Sequence, residues 1–106
     1  MSAVPESLKN KKFIFIAIVI AADGKADELQ ASLVDLRKFS NSDQEPGCLT
    51  YRTTRGVGEE SNKFTVIEEY ADEKAYNFHM ASEKFVALTK SGQVASMSFS
   101  FAEEFQ

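Results

Sequence analysis

The chain is poor in the residues that most often announce a chemistry. Of its 106 residues, one is cysteine, one is histidine, two are proline and none is tryptophan. A lone thiol, Cys48, cannot close an internal disulfide or build a cysteine-cluster zinc site. It reads as a small buried residue, not a nucleophile, and it suits a reducing cytoplasm. Neither a Ser-His-Asp arrangement, a phosphate-cradling glycine loop nor a paired-histidine metal motif occurs, so neither metal nor cofactor is expected. Gly56-x-Gly58 reads as a hairpin turn. Basic stripes are missing as well. Lys9, Lys11 and Lys12 form the densest basic group, and the net charge is −4. Binding to nucleic acid by phosphate neutralisation is therefore not expected.

Long apolar runs are also missing. The strongest, Phe13 to Ala22, is too short to span a bilayer. Behind KNKK it imitates a secretory leader, but Glu6 sits in the would-be basic region and the run holds no leucine. The reading is a buried strand, with no membrane partner and a cytoplasmic location.

The length fits one domain, residues 1–106, with 1–11 as an N-terminal extension and 12–106 as the core. An apolar content of 43% is that of a globular chain. FIFIAIVIAAD is apolar on both parities: Ile14, Ile16, Ile18 and Ile20 point one way, Phe13, Phe15, Ala17, Val19 and Ala21 the other. Such a strand must be covered on both faces. Ala26, Leu29, Leu33 and Leu36 then recur at helical spacing, with the start at Asp23 or Gly24 and the end in Ser40-Asn41-Ser42-Asp43. Glu45-Pro46-Gly47 reads as a turn.

CLTYRTTRG alternates, with Leu49, Tyr51 and Thr53 on one face. A polar loop over 56–62 leads into KFTVIEEYAD, where Phe64, Val66, Glu68 and Tyr70 share a side. Asp72 is an N-cap for EKAYNFHMA and Ser82 for a second short piece, EKFVALTKSG, ended by Gly92. The last strand, ASMSFSFAEEF, separates Met97, Phe99 and Phe101 from Ser96, Ser98 and Ser100.

The order β-α-β-β-α-β is the α+β, ferredoxin-like split βαβ: a four-stranded antiparallel sheet with helices on one face. The other face carries apolar residues. Two such sheets packed face to face would hide it, so a homodimer is expected.

EPGCLTYRTTR followed by KFTVIEEYADEKAYNFHMASEKF closely resembles the antibiotic biosynthesis monooxygenase family, which includes small quinol monooxygenases. The matching positions are Glu45-Pro46-Gly47-Cys48, Tyr51, Glu68, Tyr70, Asp72, His79, Ser82 and Phe85. GKADEL also resembles the family's usual first-helix start, and the likeness runs from Phe13 onward. It implies a dimeric α/β-barrel and cofactor-independent oxidation, by O₂, of a small electron-rich aromatic such as a quinol. Two departures stand out. Tyr70 occupies the place of a common tryptophan. Haem-degrading relatives use an asparagine on the first strand, a tryptophan on the third and a histidine on the second helix. Only the histidine has a counterpart here, which argues against haem degradation.

Within that resemblance His79 is the candidate base, because an imidazole titrates near neutrality and can take and return a phenol proton. An axial haem ligand is a further reading, and a capping or partly buried residue paired with Glu83 is the plain one. Tyr51 and Tyr70 are candidate pocket walls, or core aromatics with hydroxyls satisfied at the sheet's edge. Glu68 is a candidate carboxylate at the cavity mouth, its charged form disfavoured among aromatics, or half of an inter-subunit ion pair, for example with Arg52 or Arg55. Phe85 is a candidate rim residue or plain helix packing. The serine stripe lies either in solvent or in a cavity between sheet and helices. A non-catalytic, small-ligand-binding or stress-associated dimer remains the alternative from another class, since fold does not fix function.

Overall fold

A computed structural model describes residues 3–106. Strands and helices follow in the expected order, with the second helix in two pieces: β1 Phe13–Ala21, α1 Ala26–Ser40, β2 Cys48–Arg55, β3 Lys63–Tyr70, α2 Glu73–Met80, α3 Glu83–Thr89 and β4 Val94–Ala102. The sheet runs β2-β3-β1-β4 and every pairing is antiparallel, the ferredoxin-like arrangement. The two-faced apolar strand β1 lies inside the sheet, between β3 and β4.

The parity of β1 decides the layers. Phe13, Phe15, Ala17, Val19 and Ala21 are buried under the helices with Leu29, Leu33 and Leu36 of α1. Burying each of the larger side chains contributes roughly 1.5–3 kcal/mol. Val4 and Leu8 of the N-terminal extension join the same core. Ile14, Ile16, Ile18 and Ile20 stand half-buried on the open face. In register beside them lie Ser100, Ser98 and Ser96 of β4 and Ile67 and Thr65 of β3. The serine stripe thus belongs to the open face, not to a cavity. Met97, Phe99 and Phe101 face the helices but stay half-buried, because the helical layer does not fully cover the β4 edge.

The caps follow the sequence closely. Asp72 Oδ1 accepts from the Ala75 amide and Ser82 Oγ from the Phe85 amide, each satisfying an orphan donor of a first turn. Two local expectations are corrected. Helix α1 starts at Ala26 with Lys25 as N-cap, because Gly24 at φ +75° is left-handed and cannot be helical. Leu49 does not share the buried face with Tyr51. A bulge between Cys48 and Thr50 shifts the register, so Cys48 pairs with Tyr70, Tyr51 pairs with Glu68, and Leu49 is left 48% exposed. No helix among the described residues is long and apolar enough to cross a membrane.

Candidate active site

Five elements and one turn converge between the sheet and the helices. Alternation along β3 turns Glu68 and Tyr70 inward, and the β2 bulge brings Tyr51 opposite Glu68. His79 comes from the last turn of α2, Phe85 from α3, Ser40 from the end of α1 and Glu45 from the turn after it. All are buried: His79 is 1% exposed, Glu45 and Glu68 3% each. The five residues singled out in the sequence, His79, Tyr51, Glu68, Tyr70 and Phe85, thus form one cluster. The rings of Tyr51, Tyr70 and Phe85 lie 5.4, 5.8 and 5.6 Å from the imidazole, centroid to centroid.

The polar contacts form a chain. His79 Nδ1 sits 3.0 and 3.1 Å from the two carboxylate oxygens of Glu45 and 3.2 Å from Ser40 Oγ. His79 Nε2 faces Glu68 Oε1 at 3.9 Å, too far for a hydrogen bond but close enough for strong charge coupling. Tyr70 Oη donates to that same Glu68 oxygen. Buried polar groups cost little when partnered and much when not, so the chain is a unit in which each member supports the next.

Electrostatics divide the roles. Burial pushes the Glu68 carboxyl up from 4.5 to about 7, and the nearby Glu45 adds to this; His79 and the Tyr70 hydroxyl oppose it. Glu68 therefore exchanges its proton near neutral pH. Burial, and then the Glu68 charge, hold both tyrosine hydroxyls well above 10, so Tyr51 and Tyr70 act as neutral rings with O–H groups. Burial lifts the Cys48 thiol to about 12, which removes it as a nucleophile at neutral pH.

Beside the cluster is a small cavity of about 10 Å³ lined by Tyr51, Glu68, Phe85, Leu88, Met97 and Phe99 among others. That is room for about one water. Outside it, on the far side of Glu45, a surface pocket of about 300 Å³ is formed by the 44–48 turn and α2, with Phe78 half-exposed at its rim.

Two rival readings fall away. Within the chain Glu68 meets no arginine: Arg55 bonds Asp27 and Gln30 at 3.0 and 2.8 Å, and Arg52 is exposed on the opposite face of the sheet. The histidine's carboxylate partner is Glu45, not Glu83. The Tyr70 hydroxyl is satisfied in the interior rather than at the edge. Sequence reasoning passed over Glu45 and Ser40. Glu45 lay inside the EPGC motif, the one signal available, but a Glu-Pro-Gly turn is ordinarily solvated.

The model of the family described as antibiotic biosynthesis monooxygenase matches residues 14–91. The chain belongs to that family. A monooxygenase-like function accompanies the membership. Solved structures share the fold. A Pseudomonas aeruginosa protein superposes at TM-score 0.81 and 24% identity, over 91% of this chain and 96% of that one. A Caulobacter crescentus protein, named as a candidate antibiotic biosynthesis monooxygenase, does so at TM-score 0.80 and 26% identity over 95% and 97%. A Shewanella oneidensis protein reaches 0.78 at 20% identity over 91% and 93%. No curated protein matches the chain. Of the positions that carry the likeness to the antibiotic biosynthesis monooxygenase family, Glu45, Tyr51, Glu68, Tyr70 and Phe85 surround His79.

Proposed function

We propose that this antibiotic biosynthesis monooxygenase oxidises an electron-rich aromatic, such as a quinol, with O₂ and without a cofactor. The observation that carries the reading is the buried imidazole of His79, held between two carboxylates and walled by Tyr51, Tyr70 and Phe85. His79 takes the phenolic proton. The resulting phenolate passes an electron to O₂, the two radicals combine on carbon, and loss of water leaves a quinone. One oxygen atom ends in the product and the other in water. The protein supplies a dry pocket, a base and orientation. Glu68 returns a proton, suited to this by its value near 7.

A ring needs far more room than 10 Å³, so substrate binding displaces Phe85 and α3 toward the thinly covered edge at Met97 and Phe99. The working unit is a homodimer, closed by the isoleucine face of β1 against a second copy. A cytoplasmic location suits the unpaired Cys48. Haem ligation through His79 finds less support, since the ring is buried and the cavity beside it has room for about one water.

The surface pocket of about 300 Å³ beside Glu45 favours one alternative, a ligand-binding dimer without catalysis. O₂ uptake over a panel of reduced quinols and polyphenols, corrected for autoxidation, separates the two. Uptake reduced ~100-fold or more in His79→Ala supports the assignment. Uptake indifferent to that change moves the site elsewhere, and no uptake with any compound, alongside tight ligand binding, establishes the alternative.

A further inference from the structure

We propose that Glu45 is the positioning residue of this site: it holds His79 with the proton on Nδ1 and the lone pair of Nε2 turned toward Glu68 and the cavity, and it relays that proton to the surface pocket behind it. The inference rests on the reading of His79 as base, and it concerns a residue outside the set facing the cavity. Three observations carry it. Both Glu45 oxygens lie within hydrogen-bond distance of the same ring nitrogen. An ionised carboxylate only accepts, so Nδ1 must carry the hydrogen, and the neutral ring is left with its basic nitrogen at Nε2. Nε2 faces the Glu68 side, and Glu68 lines the cavity. Finally, Glu45 lines the 300 Å³ surface pocket as well, with Gln44, Pro46, Gly47 and Cys48 around it.

The proton path then balances. A phenolic O–H gives its proton to Nε2; the imidazolium gives the Nδ1 proton to the Glu45 carboxylate; and Glu45 loses it to water in the outer pocket. No bond other than O–H and N–H is made or broken. The groups facing the ring from all sides are Glu45 and Ser40 at Nδ1, Glu68 and Tyr70 from β3, Tyr51 from β2 and Phe85 from α3. Glu45 alone supplies a charged acceptor at Nδ1. When Glu45 is truncated, the remaining partner at Nδ1 is Ser40 Oγ at 3.2 Å, which can donate as well as accept, so the carboxylate facing Nε2, Glu68, draws the proton to that nitrogen and removes the lone pair from its side.

Because the chain has one histidine, every imidazole signal in a long-range ¹H–¹⁵N correlation spectrum of the full chain belongs to His79. At pH 8 the wild type is expected to show a protonated Nδ1 and an unprotonated Nε2. Glu45→Ala should reverse that pattern and lower kcat 10-fold or more with KM nearly unchanged, the mark of a base in the wrong tautomer rather than of lost binding. Glu45→Asp should restore part of the Nδ1–H population and part of kcat. A wild-type Nε2–H tautomer, or a tautomer that ignores Glu45→Ala, overturns the proposal. If circular dichroism shows Glu45→Ala unfolded, Glu45→Gln is read instead: its amide both donates and accepts, so mixed tautomers are expected, and a pure Nδ1–H form overturns the idea. Absence of O₂ uptake by the wild type would sink the monooxygenase reading alone, since the spectrum still decides the role of Glu45.

Discussion

Glu68→Gln isolates the electrostatic cost of the site. The substitution keeps the shape, and its carbonyl can still accept from Tyr70 Oη. It removes a carboxyl that burial raises from 4.5 to about 7. A value raised on folding means that the native state holds a proton the unfolded chain has already released. Between pH 4.5 and 7 the native state therefore binds more protons, and stability falls as pH rises through that window. At about 1.36 kcal/mol for each unit, the full gap is worth about 3 kcal/mol, most of it lost between pH 5 and 8. The glutamine variant carries no such term. Urea denaturation followed by far-UV circular dichroism, at fixed protein concentration, gives both curves. The stability of the wild type relative to Glu68→Gln should drop by about 2–3 kcal/mol from pH 5 to pH 8. A difference that stays constant over that range, or moves in favour of the wild type, would refute the reasoning, because the carboxyl would then be as well solvated folded as unfolded.

Gly47→Ala should cost about 1–3 kcal/mol by overpacking, since a new Cβ there overlaps Ala75 Cβ on α2 and lies 3.5 Å from its Cα. Ala75→Gly in the same background should recover part of this, less about 1 kcal/mol for glycine in a helix, as read by urea midpoints. Phe85→Ala should cost roughly 3–5 kcal/mol and enlarge the small cavity it lines, so that phenol raises the Tm of the variant but not of the wild type. Ile16→Lys, at the centre of the isoleucine face, should leave a folded monomer where light scattering of the wild type at micromolar concentration shows twice the chain mass; a monomeric wild type would contradict the dimer.

Local chemistry carried most of the fold. Double-faced apolarity marked β1 as an interior strand, helical spacing from Ala26 to Leu36 marked the buried stripe of α1, and Asp72 and Ser82 cap where their oxygens predicted. These features depend on periods of 2 and 3.6 residues and on short-range hydrogen bonds, all legible in a linear string. Parity failed at Leu49, because a bulge belongs to the strand pair and not to the strand. It also left open which side the serine stripe would face, a matter settled by register with β1.

The site divides the same way. The composition allowed no cysteine cluster and offered a single imidazole, and the motif from Glu45 to Phe85 named residues that surround it. Tertiary structure alone decided that Glu45, 34 positions from His79, would take its Nδ1, that Glu68 would bond Tyr70, and that the cavity would be small. The reason is physical: periodicity tells each side chain whether it faces inward, but the partner it meets there, and the dielectric that sets its proton affinity, exist only once distant segments are packed together.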